Sequence, residues 1–305
     1  MNALRKSLLT VLASVAGFSL LVSIADAATK RVSCSSSKTL NSAIAKLKPG
    51  DTLLVSGTCN ENAVVPANVN NVVIDGQGQT TIDGGSEGAT LTIRGIDVWV
   101  QNLTVTGGQT GIQIHRSSSA TVDNVIVNGV SGTGIAVRGS STARIVNSTI
   151  QNSGNNGVSV TENSNARIGF LTNNDTTVSP NTIMGNTGRG ITVTESSNAT
   201  IIGNNVSNNG NDGILVNAVS HADIASNTID GNTGHGINFG RNSGVNLGTD
   251  SGSGIFDTPN STTANNGGFG LRCFINSYAD GRLGTLNGAS GQTDFGSGCI
   301  NSTIP

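Results

Sequence analysis

Glycine opens a short Ile/Val segment at a nearly constant interval along this chain. Gly88, Gly111, Gly134 and Gly157 stand 23 residues apart, and Gly190, Gly213 and Gly236 repeat that step. Longer intervals of 33 and 34 residues separate Gly157 from Gly190 and Gly236 from Gly270. A fixed period of this size fits a solenoid, in which each repeat is one coil stacked on the last.

Aligning the units on their glycine gives columns of like residues. The second position reads Ile112, Ile135, Val158, Ile191, Ile214, Ile237, and the fourth Ile114, Val137, Val160, Val193, Val216, Phe239. The tenth is Ala120, Ala143, Ala166, Ala199, Ala222, and the twelfth Val122, Ile145, Ile168, Ile201, Ile224. Apolar residues alternate within each segment, which is a strand signature. Three short strands per unit, joined by Asn/Gly/Ser turns, describe a coil of triangular section paired in parallel with its neighbours at about 4.8 Å. Asparagine fills the bends (Asn124, Asn147, Asn204, Asn227; Asn152, Asn208, Asn232), where it tolerates left-handed backbone and bonds between coils. Open solenoid ends need capping. Leu40, Ala43, Ile44 and Leu47 fall at helical spacing, with Thr39 or Ser37 as N-cap and Pro49-Gly50 as the stop.

The ends of the chain add a compartment. Arg5 and Lys6, an apolar run from Leu8 to Ile24, and Ala25-Asp26-Ala27 read as a signal peptide, cleaved after Ala27 for secretion or periplasmic export. No other apolar run is long enough to span a bilayer, so no membrane association is expected after cleavage. The expected division is 1–27 signal peptide, 28–64 N-terminal cap with a short helix and first strand, 65–269 coils, and 270–305 C-terminal cap. Four cysteines suit an oxidising compartment. Cys34 and Cys59 lie near one end of the stack and Cys273 and Cys299 near the other, and a bridge needs Cα atoms within about 7 Å. The pairing expected is therefore Cys34–Cys59 and Cys273–Cys299. The chain is weakly acidic, with 16 basic and 18 acidic residues, and no lysine follows Lys48. Phosphate backbones need clustered Lys and Arg, so nucleic acid is not an expected partner.

A short helix, then Pro49-Gly50-Asp51-Thr52-Leu53, then Val73-Ile74-Asp75-Gly76-Gln77-Gly78, then repeated Asn-x-Gly-x-Gly-Ile units, resembles the right-handed parallel β-helix proteins of the pectin-lyase-like superfamily. The resemblance implies an all-β, single-stranded right-handed parallel β-helix, expected here with about nine coils and an N-terminal capping α-helix. It implies a polysaccharide as the possible partner. It does not fix the activity, because that fold carries lyases, hydrolases, epimerases and non-catalytic proteins. Polygalacturonase-type hydrolases place an Asn-Thr-Asp, an Asp-Asp, a Gly-His-Gly and an Arg-Ile-Lys on successive coils. Here Asn186-Thr187-Gly188-Arg189, Gly210-Asn211-Asp212-Gly213 and Gly234-His235-Gly236 stand in the corresponding places. Only Asp212 supplies a carboxylate, whereas glycosidic hydrolysis needs two. The reading is an exported glycan- or surface-binding β-helix without an assignable catalytic motif; the alternative is a polysaccharide-degrading hydrolase or lyase.

Candidate residues follow from the columns. Arg189, Asp212 and His235 end three successive coils and form the catalytic candidate, a carboxylate between a guanidinium and an imidazole whose pKa it would raise. Arg144 and Arg167 share the eleventh position of adjacent coils, where an anion would relieve their repulsion. Trp99 points outward from Ile96-Asp97-Val98-Trp99-Val100 and could stack on a sugar ring. Two insertions, Ile168-Gly169 to Pro180-Asn181 and Leu247-Gly248 to Pro259-Asn260, have equal length and flank two short coils. They are expected to wall a groove with Asn204, Asn205, Ser226 and Asn227 on its floor and Asp175, Asp250 and Asp257 on its walls. His115, His221 and His235 form no metal motif, and neither metal nor cofactor is expected.

Overall fold

The computed structural model describes residues 27–34, 39–172, 174–248 and 258–305. The expected signal peptide, Ser37, Asp250 and Asp257 lie outside the described residues. The rest is a parallel β-solenoid of about 11 turns rather than nine. The extra turns come partly from residues 270–305. Tyr278–Arg282, Gly291–Phe295 and Ile300–Ile304 extend the ladders in register instead of folding away from them.

Each coil presents three faces. The first begins at the repeat glycine, as in Thr110–Ile114, Thr133–Val137 and Val158–Val160, and forms a ten-stranded parallel sheet. The second face carries Thr142–Val146, Asn165–Ile168, Asn198–Ile202, His221–Ala225 and Gly244–Leu247. The third carries Thr149–Gln151, Thr182–Met184, Asn205–Ser207 and Thr228–Asp230. The columns read from the sequence are the observed pairings, such as Ile135 with Val158 and Ala143 with Ala166. Their side chains form one core: Ile112, Ile135, Val158, Ile191, Ile214, Ile237 and Leu271 are all fully buried. Complete burial of an Ile or Val stabilises by about 1.5–3 kcal/mol, and every coil repeats it.

Close approach explains the repeat glycine. A Cβ on Gly134 would meet Cγ2 of Ile150 at 2.5 Å and the Gly157 carbonyl oxygen at 2.6 Å. The turns after it are held by buried ladders. Asn181, Asn204, Asn227 and Asn260 form one, Asn186, Asn209, Asn232 and Asn266 a second, each Nδ2 donating to the next Oδ1 at 2.9–3.0 Å. Serine hydroxyls at positions 141, 164, 197, 220, 243 and 277 accept from the backbone of the preceding coil in a third.

The N-terminal helix is a short one, Leu40–Ile44, with Thr39 Oγ1 accepting from the Ser42 amide. Glu61, from the next turn of chain, accepts the Leu40 and Asn41 amides and fixes the helix over the first coil. A strand, Thr29–Ser33, precedes it and pairs with Thr52–Ser56. Disulfides join Cys34 to Cys59 and Cys273 to Cys299, with Cα atoms 4.9 and 6.2 Å apart. No helix among the described residues is long and apolar enough to cross a membrane.

Candidate functional site

The outward positions of the second face line up as one column. Trp99, Thr121, Arg144, Arg167, Thr200, Asp223, Asn246 and Asp280 are successive register partners. Three residues singled out in the sequence, Trp99, Arg144 and Arg167, therefore share a track. Trp99 is half-buried, and its indole Nε1 is buried without a hydrogen-bond partner among the described residues.

A groove of about 420 Å³ follows this column from Arg144 to Asp223, with Asn165, Asn198 and His221 along one side. The first insertion closes over its arginine end. Arg144 donates from Nε to the Leu171 carbonyl at 3.1 Å, and Arg167 from Nη1 to the same oxygen at 3.2 Å. The Arg167 guanidinium also lies 5.7 Å from the Phe170 ring centroid. Two positive charges thus converge on one neutral acceptor. Neither has a carboxylate within salt-bridge distance among the described residues.

The other end holds a network that the sequence did not announce. His221 Nε2 is 3.1 Å from Asp223 Oδ1, and Asn246 Nδ2 donates to that oxygen at 3.0 Å. The Tyr278 hydroxyl is 3.2 Å from His221 Nδ1, across two coils. Gly244 stands between them in register, and a Cβ there would collide with the tyrosine ring, so the glycine lets Tyr278 reach back. The signal available was the shared column of His221, Gly244 and Tyr278, hidden because Tyr278 falls where the 23-residue period fails.

On the side of the first insertion the expected groove is filled; residues 249–257 of the second lie outside the described residues. Phe170 and Val178 pack on Ile202 and Ala225 of the intervening coils. Asn204 and Asn227 are 2% and 0% exposed. Their amides donate to Ile168, Ile202, Ile201 and Ala225 carbonyls and to the ladder, so neither can face a sugar. Asp175 turns inward on its own loop. It accepts the Leu171 and Thr172 amides and the Thr172 hydroxyl. Burial would raise its pKa, but these bonds, with the Arg167 charge, hold it below the ordinary carboxylate value.

Arg189, Asp212 and His235 do stack as expected, at a different corner, where the third face meets the first. Asp212 is buried and takes Arg189 Nε at 3.0 Å, the His235 backbone amide at 3.0 Å and Asn238 Nδ2 at 3.2 Å. The imidazole does not bond to it. His235 Nδ1 accepts from the Phe269 amide at 2.9 Å, and the ring stacks on Phe269. The anticipated upward pKa shift is reversed: burial lowers it, and the nearby Asp212 charge offsets this only in part. The column is a structural clasp with its carboxylate oxygens occupied. No group of His, Cys, Asp and Glu suited to a metal occurs among the described residues.

No curated protein matches the chain. Among solved structures, a pectate lyase matches with TM-score 0.56 at 14% identity, over 89% of this chain and 80% of that one. The A-module of a mannuronan C-5 epimerase from Azotobacter vinelandii gives 0.54 at 13%, over 91% and 89%. An alginate lyase from Paenibacillus gives 0.50 at 16%, over 90% and 99%. Such identities establish the fold alone. The model of the right handed beta helix region matches residues 51–169 and 110–266, together most of the sequence, and the chain belongs to this family.

Proposed function

We propose that this is an exported protein that binds an acidic polysaccharide along the second-face groove. The observation that carries the reading is the pair Arg144 and Arg167: in register, held by one carbonyl, and without a carboxylate partner among the described residues. A sugar carboxylate would replace that neutral acceptor with a charge-assisted one. Trp99, two coils away, offers a ring face for stacking, and the two disulfides suit an oxidising compartment. Affinity electrophoresis against polyuronates and neutral glucans tests the idea. Polyuronates should retard the protein, and Arg167→Gln should weaken that retardation about tenfold or more, the worth of one charged hydrogen bond. Equal retardation of the variant and the parent would overturn the reading.

A second reading is favoured by the His221 network. Hydrolysis canonically requires two carboxylates, and among the described residues Asp223 is the one that lines the groove. Elimination needs less. A base removes the proton α to the uronate carboxylate, the neighbouring C–O bond breaks, a C=C bond forms, and the leaving oxygen takes a proton. His221 and Tyr278 are the groups able to move those protons, with the arginines neutralising the carboxylate. Ultraviolet absorbance of an unsaturated product, lost in His221→Gln, is the expected result.

A further inference from the structure

A second cluster of positive charge sits away from the groove, at the corner where the first face turns into the second. Arg94, His115 and Arg138 each follow register-paired residues, Ile93, Ile114 and Val137, and so form a column on three successive coils. Arg116 adjoins it in the turn. Long basic side chains in such a column ordinarily swing into water. These are pinned instead. Arg94 is half-buried and donates from Nε to His115 Nε2 at 3.2 Å. Arg138 donates from Nε to the Gln113 side-chain oxygen at 2.7 Å, with a further bond from Nη2, once that amide is turned to face it. Accepting from Arg94 leaves His115 neutral with its proton on Nδ1, a donor.

None of Arg94, Arg116 and Arg138 has a salt bridge among the described residues. Burial and the three arginine charges hold the His115 pKa below its ordinary value, against a smaller opposing effect of Glu162. Arg138 and Gln113 also border a polar hollow of about 320 Å³ on the first face, with Thr110, Ser159 and Thr161, and with Glu162 and Glu195 as its acidic members. Guanidinium groups held in place beside hydroxyls lose little freedom on binding.

We infer that the Arg94–His115–Arg138 corner is a second anion site, built for an oxyanion such as a sulfate or carboxylate group. The anion sits between the two guanidiniums, with the His115 Nδ1 proton as a further donor. It does not depend on the groove. Two sources share this chemistry, a free inorganic anion and the acidic group of a saccharide whose hydroxyls would occupy the adjoining hollow.

Titration of the labelled full chain with sodium sulfate, followed by NMR of the His115 ring and the Arg94 and Arg138 Nε–H groups, tests it. Saturable shifts in all three, with the His115 pKa rising as sulfate binds, are expected. Arg138→Gln, at an exposed position where folding should be kept, should weaken binding about tenfold to a hundredfold, and Arg94→Gln likewise. Arg167→Gln should leave it unchanged, which separates this site from the groove. A sulfated or uronic oligosaccharide binding tighter than sulfate identifies a saccharide as the source; equal affinity identifies the free anion. Absence of saturable shifts with sulfate and oligosaccharide alike, or shifts that persist in Arg138→Gln, would refute the site.

Discussion

Asparagine at 204 illustrates how one residue type serves two ends in this chain. Its side chain makes contacts to three coils and is inaccessible, while Asn205 beside it is exposed. Asn204→Ala would strand the Asn181 amide and the Ile168 carbonyl in the interior. Unfolding measurements should show a loss of ~3 kcal/mol, against less than about 0.5 for Asn205→Ala. Titratable groups at this scale set the pH response. His235 has a folded pKa below its unfolded 6.5, because burial and its bond from Phe269 disfavour the proton. Its contribution is therefore present above pH 6.5 and is lost as pH falls below that value, where the unfolded chain binds more protons. His115 acts in the same direction. Denaturation midpoints should fall between pH 7.5 and 5, with a shallower fall in His235→Gln; an unchanged slope would reject the assignment. Asp51 acts lower. Lys30, hydrogen-bonded at 2.6 Å, and then the Lys48 amide bring it from 3.8 to about 2, so its contribution disappears as pH drops through that window.

Among elements, the first insertion departs most from a decorative loop. It makes a small core of its own, with Phe170 only 1% exposed on Ile202 and Ala225. It also supplies the Leu171 carbonyl that holds both groove arginines. Phe170→Ala should cost about 3 kcal/mol or more in stability. It should also loosen the arginine pair, lowering polyuronate affinity although Phe170 is too buried to touch the glycan. Stability loss with unchanged affinity would show that the loop does not organise the groove.

Across the whole molecule, each coil contacts its neighbours, so stability accumulates along the stack and the ends are the weak points. The two disulfides sit at those ends, closing separations of 25 and 26 residues. Replacing Cys273 and Cys299 by serine should cost about 2–4 kcal/mol. Hydrogen exchange should then accelerate first in the strands beyond Cys273, with the central coils protected.

The solenoid, its strand columns, the inward and outward alternation and both disulfide pairings were legible in the sequence. Each follows from a period, and a residue's place within a period decides whether it faces the core. The pairing of Arg144 with Arg167 was legible for the same reason, whereas Trp99 joins their column only through the observed register with Thr121. The number of turns was not, because Tyr278 to Ile304 keep the ladder without keeping the 23-residue spacing. Nor was the fate of the matched insertion, since Phe170 and Val178 declare their direction only when Ile202 and Ala225 are beside them. Stacking order placed Asp212 next to His235, but only packing against Phe269 turned the ring away. His221 and Tyr278 lie 57 residues apart and meet because Gly244 leaves room between them. Sequence determined which positions stack, because backbone pairing repeats with the period; tertiary structure decided which polar atoms remain free, because that depends on side-chain directions and neighbours that no period encodes.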